Sequence, residues 1–192
     1  MSAWVLYLLA VHPEYRARVG AELDALLGPA TAGGDDLSLE VIKAMRAMGR
    51  AIDEAGRLHP PVGNGPRGVV KDFTFGGYRV PAGTTVRYSI AAGHWLPTIF
   101  ADPGRFDPDR FAPPREEDRR HPYALIPFGG GPRICIGVNF AQVEIKALAA
   151  HVLRSFELEP VADQAIEQFY PGIVGAPRHG IRARVRTIGS EG

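Results

Sequence analysis

The only cysteine of the chain, Cys135, lies in the segment Phe128-Gly129-Gly130-Gly131-Pro132-Arg133-Ile134-Cys135-Ile136-Gly137. These residue types suit a thiolate held out as a ligand. Glycines carry no Cβ, so backbone can come close to a flat partner. Arg133 and the N-terminus of a helix expected to follow both favour an anionic sulfur. Ile134 and Ile136 offer apolar surface to a ring system. A strand–Cys–helix turn can instead present a nucleophile. Such an elbow asks for glycine two residues before the cysteine, where this chain has Arg133, and no histidine–acid pair is spaced to serve it. A buried structural cysteine is the other alternative.

A second set of residues is charged. Glu54 and Arg57 are three apart near the end of a helix and share a face. Taken alone they make a surface ion pair worth about 0–1 kcal/mol. Arg110 lies in Phe106-Asp107-Pro108-Asp109-Arg110-Phe111. Arg67 follows Gly65-Pro66, and His94 follows a strand pair; each taken singly reads as a solvated surface group. Arg115, Arg119, Arg120 and His121 form a basic cluster that reads as a solvated face. Such a cluster could also dock an acidic partner.

The elements that must position these groups follow from hydrophobic period and breakers. Residues 3–11 read as a helix apolar on every face, which belongs inside a large protein. Pro13 opens a second helix with Glu14 in its first turn and Tyr15, Val19, Leu23 and Leu26 on one stripe, ending near Gly28-Pro29. Residues 29–36 form a loop. Ser38 caps a third helix, predicted to run continuously through Leu39, Ile42, Met45, Met48 and Ile52 until Pro60-Pro61.

The period then changes. Phe73-Thr74-Phe75, Gly76-Gly77 and Tyr78-Arg79-Val80 signal a hairpin, and Thr84–Ile90 a further strand. Residues 97–122 form an ordered meander in which Phe100, Phe106 and Phe111 need somewhere to pack. Residues 138–156 form a last long helix with Phe140, Val143, Leu148, Val152 and Phe156 inward, and Ala183–Thr187 is a strand of the tail. The fold class is mainly α with a small antiparallel β-sheet. There is no internal repeat.

Bulk properties narrow the function. A net charge of +1 gives no reason to propose nucleic acid. One cysteine excludes an internal disulfide and suggests a reducing compartment, hence a cytoplasmic location. Six histidines without an HExxH pattern, and no second cysteine, argue against structural zinc. The apolar run before His12-Pro13 is too short to span a bilayer and lacks a basic leader.

The pattern F-x-x-G-x-R-x-C-x-G, matched at Phe128, Gly131, Arg133, Cys135 and Gly137, resembles the haem-binding loop of the cytochrome P-450 family. Its extension C-x-G-x-x-x-A-x-x-E is met by Cys135, Gly137, Ala141 and Glu144. Glu54-x-x-Arg57 followed by Leu58-His59-Pro60-Pro61 resembles the same family, as does the Arg110 segment. The resemblance implies that Cys135 is the axial ligand of haem b, with Phe128 beside the sulfur and Ala141 small enough to let its helix approach the ring. Arg133, Arg67 and His94 would meet the haem propionates. Glu54, Arg57 and Arg110 would form a buried structural triad under the loop. Two positions depart from the family pattern. Gly56 stands where leucine is usual, at about 1 kcal/mol of helix propensity, and Trp95 stands where arginine often follows His94.

The resemblance covers nearly the whole chain but only the C-terminal part of the family's fold, so residues 1–192 are expected to be that haem-binding part with the N-terminal half absent. The family's oxygen-activating acid–alcohol pair would lie just before Ser2. The implied activity is insertion of one oxygen atom of dioxygen into a small organic substrate, with electrons from a ferredoxin or flavodoxin type donor. Two alternatives stay open: a truncated haem-binding module without oxygenase turnover, and a gene remnant or mis-called start. A missing partner surface predicts exposed apolar area around Trp4, Leu8 and the haem face, with self-association.

Overall fold

A computed structural model of the chain describes residues 1–28 and 37–188; the loop expected over 29–36 lies outside the described residues. Helices α1 (Ser2–Val11) and α2 (Pro13–Leu27) meet at His12, whose Nδ1 lies 2.8 Å from the Leu8 carbonyl. Pro13 sits in the first turn of α2, and Gly28, at φ 73°, ends it in a conformation that glycine adopts without strain. Tyr15, Val19 and Leu23 are buried along one stripe, as the spacing predicts.

The predicted third helix is two. α3 (Leu39–Ala44) begins where the Ser38 hydroxyl accepts the Val41 N–H, and α4 (Arg46–Leu58) begins after a break at Met45. The reason lies on α2. The Glu22 carboxylate accepts the N–H groups of Arg46 and Ala47, both at 2.7 Å, and of Met48 at 3.0 Å. A second N-terminus is thus satisfied by a charge from elsewhere in the chain. Apolar spacing continues across the break, so periodicity alone does not reveal it.

The middle of the chain holds β1 (Asn64–Gly68), β2 (Phe73–Phe75), β3 (Tyr78–Val80) and β4 (Thr85–Ser89). β1 pairs with β4 and β2 with β3, both antiparallel, and Gly76 and Gly77 turn the β2–β3 hairpin with positive φ. The strand predicted to reach Ile90 stops one residue short. There the Ser89 hydroxyl accepts the Ala92 N–H and opens the short helix α5 (Ile90–His94). The meander follows, with 3-10 turns at Pro108–Phe111 and Glu117–Arg120. Phe100 and Phe106 are buried in it, while Phe111 is only half-buried.

Helix α6 (Val138–Ser155) leads into β5 (Phe156–Pro160). The strands β6 (Gln168–Phe169), β7 (Ala176–Pro177) and β8 (Ala183–Thr187) complete the described chain, with β5 pairing β8 and β6 pairing β7, again antiparallel. The inward face of α6 differs from expectation. Ile145, Ala149 and Leu153 are buried, spaced four apart; Phe140 and Leu148, on the neighbouring stripe with Glu144, are exposed.

The core is built around α1, which packs on α2, α4, α6 and β5. Val5, Leu9, Leu23, Met48, Ile52, Ala149 and Leu153 share one cluster. The expected exposure at Trp4 and Leu8 is therefore corrected: Trp4 is 2% exposed and Leu8 6%. The Trp4 indole stacks on the His59 imidazole at 3.6 Å and 6° between planes, so the C-terminal end of α4 covers it. No helix among the described residues is long and apolar enough to cross a membrane.

Candidate functional site

Beneath the cysteine loop lies a buried charge network. Arg57 donates through Nε to Glu54 Oε2 at 2.7 Å and through Nη2 to Oε1 at 2.9 Å, a bidentate pair within one helix. Arg110 Nε donates to the same Oε1 at 3.0 Å, and so does the Asp107 backbone N–H. All three side chains of the expected triad are fully buried. Helix α4 turns Glu54 and Arg57 to one side, and the 3-10 turn after Asp107 brings Arg110 against them.

The network is larger than the triad. Arg110 Nη1 donates to Glu117 Oε2 at 2.7 Å, and Glu117 also accepts the Ala101 N–H. Arg115 bridges Glu117 Oε1 and Asp107 Oδ2, and the Tyr15 hydroxyl donates to Asp107 Oδ1. Phe100 lies against both guanidiniums, 5.2 Å from Arg57 and 6.0 Å from Arg110. Burial pushes the carboxyls of Asp107 and Glu117 upward, but their arginine partners outweigh it and both end below the usual range. Burial and the Asp107 carboxylate push the Tyr15 hydroxyl up to about 12.

Glu117 escaped the sequence reading because an acid in an aperiodic, charge-rich segment carries no signal of burial. The basic cluster is exposed, as read, and it is also paired. Arg115 turns inward to Asp107 and Glu117, Arg119 pairs with Glu116, and Arg120 donates to the Ile99 carbonyl. All four residues still reach solvent, so the face is solvated and its charge is partly offset by these neighbours.

Above the network the Cys135 loop is exposed. It is pinned by backbone: the Gly129 N–H donates to the Ile126 carbonyl and the Cys135 N–H to the Phe128 carbonyl, each at 2.9 Å. Gly129 and Gly131 have φ of 74° and 67°, the left-handed region that favours glycine. Gly130 lies against the Tyr123 ring, where a Cβ would come within 3.0 Å. Ile136 is fully exposed and Phe140 is 73% exposed, so the apolar face expected around the cysteine is present. Gly56 gains a purpose here. A Cβ at that position would stand 3.1 Å from Pro127, so glycine lets the loop sit down on α4.

Cys135, Phe128, Gly129 and Arg133 open onto a cleft of about 670 Å³, whose other wall is β1 and β4 with Arg67, Tyr88 and Arg87. Arg67 is held there by the Tyr88 hydroxyl at 2.9 Å and its own neighbour's carbonyl, Pro66, at 2.8 Å. Tyr88 stands directly across from Gly65 in the β1–β4 register and fills the space a Cβ would need, at 2.2 Å. Tyr170 and Ile173 close one end. Sequence reasoning missed Tyr88, although an aromatic opposite a glycine in a strand pair is a recognisable signal. Ala141 and Gly137 lie on the helix side of the loop, half-buried.

This donor set fits an iron porphyrin. One exposed thiol stands beside apolar side chains and side-chain-free backbone, and three guanidiniums, Arg67 and Arg87 on one wall and Arg133 on the other, suit a ring that carries carboxylates. His94 does not join them. It is fully buried, its Nε2 accepts the Ile126 N–H at 2.9 Å, and its Nδ1 lies 3.3 Å from the Arg57 carbonyl. With both ring nitrogens engaged by backbone, it has none left for a propionate.

Comparison with known proteins agrees with this geometry. The chain is 37% identical over 188 residues to cytochrome P450 4c3 of Drosophila melanogaster, covering 95% of this chain and 34% of that protein. It is 38% identical over 158 residues to the sterol 14alpha-demethylase of Mycolicibacterium vanbaalenii, covering 82% of this chain and 34% of the relative. The fold superposes on cyanobacterial CYP120A1 with retinoic acid bound, with a TM-score of 0.87 at 33% identity, over 97% of this chain and 42% of that one. The chain thus spans about a third of the length of the curated relatives it matches. The cytochrome P450 family model matches residues 2–182, and the chain belongs to that family.

Proposed function

We propose that residues 1–192 are the haem-holding, C-terminal part of a haem-thiolate monooxygenase. The observation that carries the reading is the placement of the Cys135 thiol, Arg67 and Arg133 around one cleft. Cys135 would supply the ligating sulfur to haem b, Phe128 would shield that sulfur, and Arg67 and Arg133 would neutralise the propionates. Bound haem would supply dioxygen activation and transfer of one oxygen atom to a carbon substrate.

The chain's own residues bind and orient. Gly129 lets the ring approach the backbone, Ile134 and Ile136 exclude water, and Ala141 leaves room on the helix side. Tyr88 holds the Arg67 guanidinium in place, reducing the side-chain entropy lost on binding a carboxylate. The buried network fixes the floor on which the loop rests. A small organic substrate and a ferredoxin or flavodoxin type electron donor complete the proposal. A reducing compartment such as the cytoplasm suits a lone exposed thiol.

The test is a carbon monoxide difference spectrum of the reduced, haem-reconstituted chain beside its Cys135→Ala variant. A strongly red-shifted Soret band present in the parent and lost in the variant is expected. A band at the same position in both would overturn Cys135 as the ligand.

A further inference from the structure

The cysteine loop has a holding problem. Three consecutive glycines, 129 to 131, have no side chains with which to pack, so the loop's shape must come from anchors on its backbone. One anchor comes from a side chain far away in sequence, His94 at the end of α5. We propose that His94 is a positioning residue, whose imidazole transmits the fixed geometry of the buried charge network to the backbone that presents Cys135. The proposal rests on the reading of Cys135 as a haem ligand.

The path is continuous. Glu54 holds the Arg57 guanidinium by two hydrogen bonds, and Arg57 Nη1 donates to the His94 carbonyl at 2.9 Å. The Ile126 amide can only donate, so His94 Nε2 must be the acceptor and the ring proton must sit on Nδ1, facing the Arg57 carbonyl. Ile126 then accepts the Gly129 N–H, and Phe128 accepts the Cys135 N–H. Every link is buried or part-buried up to Ile126, where the chain emerges as the loop.

The relay requires a neutral ring, because a proton on Nε2 would face the Ile126 N–H. Burial supplies that condition, dropping the ring's pKa to about 4 against the opposing bond to the Arg57 carbonyl, and the Arg57 charge from α4 acts in the same direction as burial.

Amide hydrogen exchange on the haem-free chain tests this, with His94→Phe and His94→Gln. His94→Phe should speed exchange at Ile126 and Cys135 by about tenfold, the loss of one buried hydrogen bond, while β5–β8 amides keep their rates. His94→Gln, which retains an acceptor, should lose far less. Unchanged rates at Ile126 in His94→Phe, or equal acceleration across loop and β5–β8 in both variants, would overturn the proposal. An arm on the unaltered chain guards against a variant that fails to fold. Lowering the pH through about 4 should strip protection from Ile126 before β5–β8; simultaneous loss would count against the relay. Exchange needs no haem, so these results stand apart from the Soret test. In haem-loaded protein His94→Phe should also weaken the red-shifted band while His94→Gln keeps it.

Discussion

Two parts of this molecule use the same ion pair for different ends. Under the cysteine loop, Glu54 meets Arg57 and Arg110, and Glu117 meets Arg110, at 2.7 to 3.0 Å with side chains at most 1% exposed. Across the β5–β8 ribbon, Glu157 meets Arg186 at 3.1 Å and Glu159 meets Arg184 at 3.6 Å, every side chain more than half exposed. The ribbon pairs stand directly opposite in the strand register. Their charges are already solvated, so pairing gains little. The buried charges have no water to fall back on, and every lone pair must find a donor in the protein. The buried group therefore fixes one geometry, whereas the ribbon only favours its register.

The sharpest way to break the comparison is Glu54→Ala. It leaves Arg57 and Arg110 buried without their shared carboxylate, and should cost on the order of 3–5 kcal/mol in urea unfolding, with loss of haem uptake. A cost below about 1 kcal/mol would mean that the network behaves like the ribbon.

Asp53 sharpens the comparison from another side, because it is a largely enclosed acid without an arginine. Burial, then the neighbouring Asp118 carboxylate, push its pKa up to about 6; Lys146 and Gln142 oppose this. The fold therefore favours the protonated form. Stability from this group is greatest below the unfolded value near 3.8, falls as pH rises, and is fully lost above about 6. Asp53→Asn should remove that fall and stabilise the protein above pH 6 by up to about 3 kcal/mol. A thermal midpoint with the same pH dependence in parent and variant would refute the assignment.

The smallest effect should come from Glu157→Gln in the ribbon, at most about 0.5 kcal/mol and smaller still in high salt. A larger loss would show that exposure does not separate the two regions as argued.

Much of the site was legible before the fold. A cysteine among glycines, followed by a helix, reads directly, and so do the Ser38 cap, the Pro13 helix start and the Gly76-Gly77 turn, because each depends on a few neighbouring residues. Three positions read differently once folded. Met45 sits in an unbroken apolar stripe, yet the helix breaks there because Glu22 arrives from α2. Phe140 has the composition of a core residue but lies on the open side of α6. His94 looked like a propionate contact by its place in the pattern, and only its two backbone partners reveal it as a tether.

Sequence by itself determined what is local: the ligand-bearing loop, the order of helices and hairpins, and the Glu54–Arg57 pair one helical turn apart. Tertiary structure decided which charges lose their water. Arg115 and Glu117 lie two residues apart in an aperiodic stretch, yet Glu117 is buried and Arg115 stays exposed, and no spacing rule tells the two apart. Burial is set where the meander meets α4, a distant part of the chain, as Glu54 takes Arg110 and the Asp107 N–H, and burial is what turns a weak ion pair into a fixed support.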